Sequence, residues 1–126
     1  MITKRILVID NEQYIQEVTQ ICLETVAGWQ VITASSGLEG LNKAESEQPD
    51  AILLDLIMPE MDGLTTFEKL QENPLTRQIP VIFLTAKVSV ASDHRDRESG
   101  LAVAIPKPFN PLELANQIAE ILDWTV

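Results

Sequence analysis

Five short aliphatic runs recur along the chain, and none of them shows strict alternation with polar residues. They are "RILVID" (5–10), "QVITA" (30–34), "AILLDL" (51–56), "PVIFLTA" (80–86) and "AVAIP" (102–106). A strand that is apolar on both faces must be covered on both sides. A parallel sheet between two layers of helices meets that requirement. The segments between the runs carry helical spacing. Residues 13–26 place Tyr14, Val18, Ile21 and Thr25 in one row, with Ile15, Cys22 and Val26 beside it. Ser36 and Glu39 form a capping box ahead of a stripe of Leu38, Leu41 and Ala44, which stops before Pro49.

Residues 63–72 bury Leu64, Phe67 and Leu70, and Asn73-Pro74 ends that helix. Residues 89–99 form a polar helix stopped by Gly100, with His94 as one of its solvated residues. The last helix opens with Asn110 as N-cap, Pro111 at its first position and Glu113 at its third. The order is βαβαβαβαβα. Right-handed crossovers then give an α/β, doubly wound five-stranded parallel sheet with five helices. The flavodoxin-like strand order 2-1-3-4-5 is the natural choice, and it directs ligands to the carboxyl ends of the strands.

Composition sets the class of partner. The 126 residues make one domain, 1–126, with no stretch left over for an output domain. Nineteen acidic residues against nine Lys and Arg give a formal net charge of −10. Binding a phosphate backbone relies on clustered cations, so a protein surface is expected as partner and nucleic acid is not. No apolar run approaches the roughly 20 residues that span a bilayer, and "MITKRILVID" enters a strand without a signal-peptide pattern. The single Cys22 excludes an internal disulfide and fits a reducing cytoplasm. With no His patterned near it, Cys22 reads as a buried core thiol. Phe67 and Phe83 read as core, and Phe109 as packing under the last helix. Trp124 either covers the end of that helix or anchors a partner.

The strand ends gather chemistry. Strand 1 runs into Asp10-Asn11-Glu12, strand 3 into Asp55, strand 4 into Thr85 and strand 5 into Lys107. Two carboxylates about 4 Å apart repel by roughly 4 kcal/mol at an effective dielectric near 20. One lysine does not neutralise Asp10, Glu12 and Asp55 together. A hard divalent cation with oxygen ligands does, and Mg²⁺ is the usual intracellular one. A carboxylate beside Mg²⁺, an ammonium and a hydroxyl is arranged for phosphoryl transfer. Asp55, at the centre, is its natural nucleophile.

The segments "ILVIDNE", "AILLDLIMPEMDG", "VIFLTA" and "IPKPF", in this order and spacing, resemble the receiver domain of two-component response regulators. The resemblance covers essentially the whole chain. It implies a stand-alone phosphoacceptor switch, not an enzyme. Asp55 would be phosphorylated by a histidine kinase or a histidine phosphotransfer protein. Asp10, Asn11, Asp55 and the backbone carbonyl of Ile57 would form the Mg²⁺ site, with Glu12 reaching it through water or pointing outward. Thr85 and Lys107 would hold the phosphoryl group, with a cis bond at Lys107-Pro108. Met58-Pro59 and Asp62-Gly63 would shape the loop after the phosphoacceptor. The face made by the helix over 89–99, strand 5 and the last helix would meet a downstream protein partner, in a monomer or weak dimer.

Two positions depart from the family's pattern. Asn11 stands where a second acid is usual; its amide oxygen ligates without adding charge, or it serves only the turn. Ala104 stands where an aromatic residue usually reports phosphorylation. These departures sustain a second reading, a pseudo-receiver that binds proteins without being phosphorylated. A phosphatase on the same kind of fold is set last, because Ile57 occupies the place of its second carboxylate.

Overall fold

The computed structural model describes residues 3–85, 104–107 and 109–124. Along the chain they form β1 (Arg5–Ile9), α1 (Gln13–Cys22), a π-helical turn (Leu23–Ala27), β2 (Gln30–Ala34) and α2 (Gly37–Glu47). There follow β3 (Ala51–Leu54), α3 (Gly63–Glu72), β4 (Val81–Thr85), β5 (Ala104–Pro106) and α4 (Leu114–Leu122). All strand pairs are parallel, in the order β2-β1-β3-β4-β5. Four α-helices, not five, stand among the described residues. The helix expected over 89–99, with His94, lies outside them.

Both sheet faces are buried, as the unbroken aliphatic runs require. Leu7, Ile9, Ile52, Leu54, Val81 and Phe83 pack with Ala44, Phe67 and Leu70 of α2 and α3. Ile6, Val8, Leu53, Ile82, Leu84 and Ile105 pack on the other side with Leu23 and with Leu114, Ala115 and Ile118 of α4. Each large aliphatic side chain contributes about 1.5–3 kcal/mol by leaving water. A one-residue slip of such a strand would exchange two apolar sets, so hydropathy alone does not set the register. Shape does. A Cβ on Gly40 would stand 2.7 Å from Ile9 Cγ1, so α2 seats on β1 only where the helix lacks a side chain. Phe67 and Phe83 meet with ring centroids 5.8 Å apart, and Phe109 packs against the core beside α4.

Two helices bury a face shifted from the one their apolar residues suggest. In α1, Tyr14 and Ile21 are exposed, while Gln16, Thr19 and Cys22 are buried. Gln16 is accommodated because its amide finds backbone acceptors at the strand ends. Below Cys22 the helix widens into the π-helical turn and stops at Gly28, whose φ of 71° is left-handed. In α2, Leu38 is exposed, and the buried stripe is Gly37, Gly40 and Ala44, with Leu41 half-buried. The Ser36 cap is present: its Oγ accepts from Glu39 N–H at 3.1 Å. The return bond of Glu39 goes to Ser35 N–H at 2.7 Å, one residue earlier than in a standard capping box.

The last helix begins later than its cap residues suggest. Asn110 accepts from Leu112 N–H through Oδ1 and from Glu113 N–H through its carbonyl. These bonds close a tight turn over residues 111–113, and α4 starts at Leu114. At its far end, Trp124 packs edge-on against buried Trp29 at 5.4 Å, with Lys4 Nζ 4.8 Å from the Trp124 ring centroid. Trp124 thus covers the helix end. Cys22 is a free buried thiol whose pKa burial pushes up, as befits an unreactive core residue. No described helix is long and apolar enough to cross a membrane.

Candidate functional site

The carboxyl ends of β1 and β3 lie side by side because these strands pair directly, Ile9 opposite Leu54. Each strand then delivers an aspartate one residue beyond its end. Asp10 N–H continues the ladder to the Ala34 carbonyl at 3.0 Å, and Asp55 N–H bonds the Ile9 carbonyl at 3.0 Å. Both residues are therefore fixed by backbone pairing, and both are buried, 1% and 4% exposed. Buried carboxylates at this depth need partners.

Lys107, the residue after β5, supplies one. Its Nζ donates to Asp10 Oδ2 at 2.7 Å and to Glu12 Oε1 at 3.4 Å, and it stands 3.6 Å from Asp55 Oδ2. Asp10 Oδ1 accepts from Glu12 N–H at 2.8 Å, which closes a turn over Asp10-Asn11-Glu12. Asp55 Oδ1 accepts from Ile57 N–H at 3.3 Å. The lysine is thus nearer to Asp10 than to Asp55. Burial, followed by the charge on Asp10, holds the Asp55 pKa above its ordinary range despite the opposing lysine. Burial pulls the Lys107 pKa down, but its bond to Asp10 and the charges of Asp10 and Asp55 carry it above its usual value.

Among the described residues, one ammonium faces three carboxylates. Oxygens of Asp10, Glu12 and Asp55 lie within 4.8 Å of one another. At that separation two unit charges repel by about 3–4 kcal/mol at an effective dielectric near 20. An all-oxygen, over-negative cluster of this size fits a small hard divalent cation. Glu12 is exposed, with its Oε1 3.4 Å from Lys107 Nζ. Asn11 is exposed at the turn between Asp10 and Glu12. Thr85 is the last residue of β4, in register with Pro106. Pro108, and with it the expected cis bond, lies outside the described residues.

The loop beyond Asp55 is shaped by Gly63. A Cβ there would collide with the Asp55 carbonyl oxygen and stand 2.6 Å from Leu56 Cα. Gly63 N–H bonds the Leu56 carbonyl at 2.9 Å, and Asp62 Oδ1 caps α3 through Thr65 N–H at 2.8 Å. The loop is thereby folded back on the strand end, and Ile57 stands half-exposed beside Asp55. Ala104 is half-buried, opposite Phe83, and packs on the core. Gln16 was not among the expected site residues. Its Nε2 donates to the Asp10 carbonyl at 2.6 Å. The signal that could have found it is a polar residue three and six positions before Thr19 and Cys22 on what proves to be the buried face.

The chain matches the response regulator receiver domain family over residues 6–119. The alkaline phosphatase synthesis transcriptional regulatory protein PhoP of Bacillus subtilis is 40% identical over 119 residues, which are 94% of this chain and 48% of PhoP. The DNA-binding dual master transcriptional regulator RpaA of Synechocystis is 36% identical over 121 residues, 96% of this chain and 50% of RpaA. The chain thus spans about half the length of these curated relatives. Among solved structures, chemotaxis protein CheY4 of Vibrio cholerae superposes with a TM-score of 0.85 at 27% identity, covering 95% of this chain and 99% of that one. The N-terminal domain of a receiver protein from Methanoculleus marisnigri gives 0.77 at 36% identity, covering 97% and 98%. Fold, strand-end cluster and sequence agree: the chain belongs to the response regulator receiver domain family of two-component signalling.

Proposed function

We propose that the chain works as a phosphoacceptor switch in which Asp55 takes a phosphoryl group from a histidine kinase or a histidine phosphotransfer protein. The observation that carries this reading is the buried Asp55 beside Asp10, Glu12 and Lys107, with more negative charge than the lysine neutralises. Asp10, Asn11, Asp55 and the Ile57 carbonyl would hold Mg²⁺, with Glu12 contributing its charge from the rim. Bound there, the cation would neutralise phosphoryl oxygens as charge develops on them.

An Asp55 carboxylate oxygen attacks phosphorus. The new O–P bond forms as the N–P bond of the donor phosphohistidine breaks, and the imidazole leaves. Lys107, already 3.6 Å from Asp55, would supply a donor to the transferred group, and Thr85, the last residue of β4, would be its hydroxyl partner by the family resemblance. The product is an acyl phosphate on the protein, so the chain acts as a signalling intermediate rather than a turnover enzyme.

Phosphorylation would bias a pre-existing equilibrium between two surface states. With Ala104 in place of an aromatic residue, that output rests on Thr85, the segment after it and the faces of β5 and α4. PhoP and RpaA are named as transcriptional regulators. The net charge of −10 argues that these 126 residues do not touch DNA themselves and act through protein contacts. A cytoplasmic monomer or weak dimer suits that role. A pseudo-receiver has no use for a buried acidic cluster with a single lysine, and the geometry favours the switch.

The test is incubation with a small-molecule phosphodonor and Mg²⁺, followed by intact mass, with Asp55→Ala as control. A gain of one phosphoryl group that vanishes in the variant is expected. No gain at any Mg²⁺ concentration would return the chain to the pseudo-receiver reading.

A further inference from the structure

Gln16 is a buried amide in a helix face otherwise given to packing. It is 9% exposed, and its Nε2 reaches the Asp10 carbonyl at 2.6 Å, Ser35 Oγ at 3.1 Å and the Ala34 carbonyl at 3.4 Å. These acceptors mark the point where β1 and β2 part, since Asp10 N–H makes the last bond of that ladder to Ala34. A buried amide is expensive unless its hydrogens are used, so an apolar residue would serve packing equally well. What the amide adds is a grip on one peptide group. The Asp10 carbonyl is held from behind by Gln16, while the Asp10 carboxylate is held in front by Glu12 N–H at 2.8 Å.

We propose that Gln16 is a positioning residue for the cation and phosphoacceptor site. It touches neither cation nor phosphoryl group. By fixing the peptide between Asp10 and Asn11, it keeps the strand-1 carboxylate oxygens converging on Asp55, within 4.8 Å of its own. Without it, that peptide rotates and the over-negative cluster relaxes by spreading apart, which removes the preformed site. The inference rests on the reading that the cluster holds a divalent cation.

Gln16→Met keeps length and volume and removes both donors. Gln16→Arg returns an N–H at the same number of bonds from the backbone. Mg²⁺ affinity is measured by calorimetry well below the unfolding transition, alongside the thermal midpoint in EDTA. Gln16→Met is expected to weaken Mg²⁺ by about tenfold, the low end for an outer partner of a metal site. Gln16→Arg is expected to recover part of that loss despite its added positive charge. A lower midpoint with Mg²⁺ affinity within about twofold of wild type would reduce Gln16 to a structural strap.

A second measurement does not depend on any variant folding. In the wild-type protein the Gln16 side-chain amide resonances should shift on Mg²⁺ addition, with the same midpoint as the Asp55 backbone amide. Resonances that stay still while Asp55 responds would overturn the positioning role alone. If neither responds, the cation reading fails and takes this proposal with it.

Discussion

Replacing Lys107 by Met removes the cation that, among the described residues, stands between the three carboxylates, and its distances set the size of the effect. An ammonium 2.7 Å from Asp10 and 3.6 Å from Asp55 attracts them by about 6 and 5 kcal/mol at an effective dielectric near 20. Desolvating that ammonium takes back several kcal/mol. Removing one partner of a buried ion pair costs about 3–5 kcal/mol in practice, because the remaining charges are stranded. Lys107→Met should therefore destabilise the protein by about 3 kcal/mol in EDTA, read from urea unfolding at neutral pH. Mg²⁺ should recover much of this loss, since it would supply the missing positive charge to the cluster.

The pH dependence follows from the signs. The Lys107 pKa is raised in the fold, so its contribution is complete below the unfolded value of 10.5 and is lost as pH climbs through the higher folded value. The Asp55 pKa is raised as well, which for an acid has the opposite meaning. Its ionisation costs stability, and that cost is absent below the unfolded value of 3.8 and grows as pH rises toward the folded value. Asp55→Asn should accordingly stabilise the metal-free protein at neutral pH and recover part of the loss in Lys107→Met. A Lys107→Met variant that loses under about 1 kcal/mol, or loses the same amount with and without Mg²⁺, would refute the charge argument.

Three further substitutions probe neighbouring features. Asn11→Asp adds a charged ligand to the strand-1 turn and should tighten Mg²⁺ by about tenfold in a calorimetric titration. Unchanged affinity would make Asn11 a turn residue only. Ile57 is 56% exposed beside Asp55 and offers no hydrogen bond to orient a hydrolytic water. Ile57→Asn should shorten the life of the phosphorylated form by about fivefold, the equivalent of one ordinary hydrogen bond in the transition state. Thr19 Oγ1 is buried without a hydrogen-bond partner among the described residues, so Thr19→Val should raise stability by about 1 kcal/mol in urea unfolding. A loss would mean that the hydroxyl has a partner after all.

Asp10, Asp55 and Lys107 could be found in the sequence because a parallel sheet obliges its chemistry to sit at strand ends. Each follows an aliphatic run that reads as a covered strand. Which carboxylate the lysine favours could not be found there. That choice is a matter of 2.7 Å against 3.6 Å, decided by how β5 lies against β1 across the intervening strands. The start of α4 was obscured for a local reason: Asn110 spends its side chain and carbonyl on a turn before the helix begins. The misread face of α1 has a functional cause. Hydropathy assigns the inside of a helix to its apolar row, Tyr14 with Ile21, yet those residues are exposed. Gln16 is inside because the end of β1 offers it acceptors. A polar side chain that supports a site from behind reverses the usual reading of a helix, and such reversals are most expected on the helix that follows a strand ending in that site.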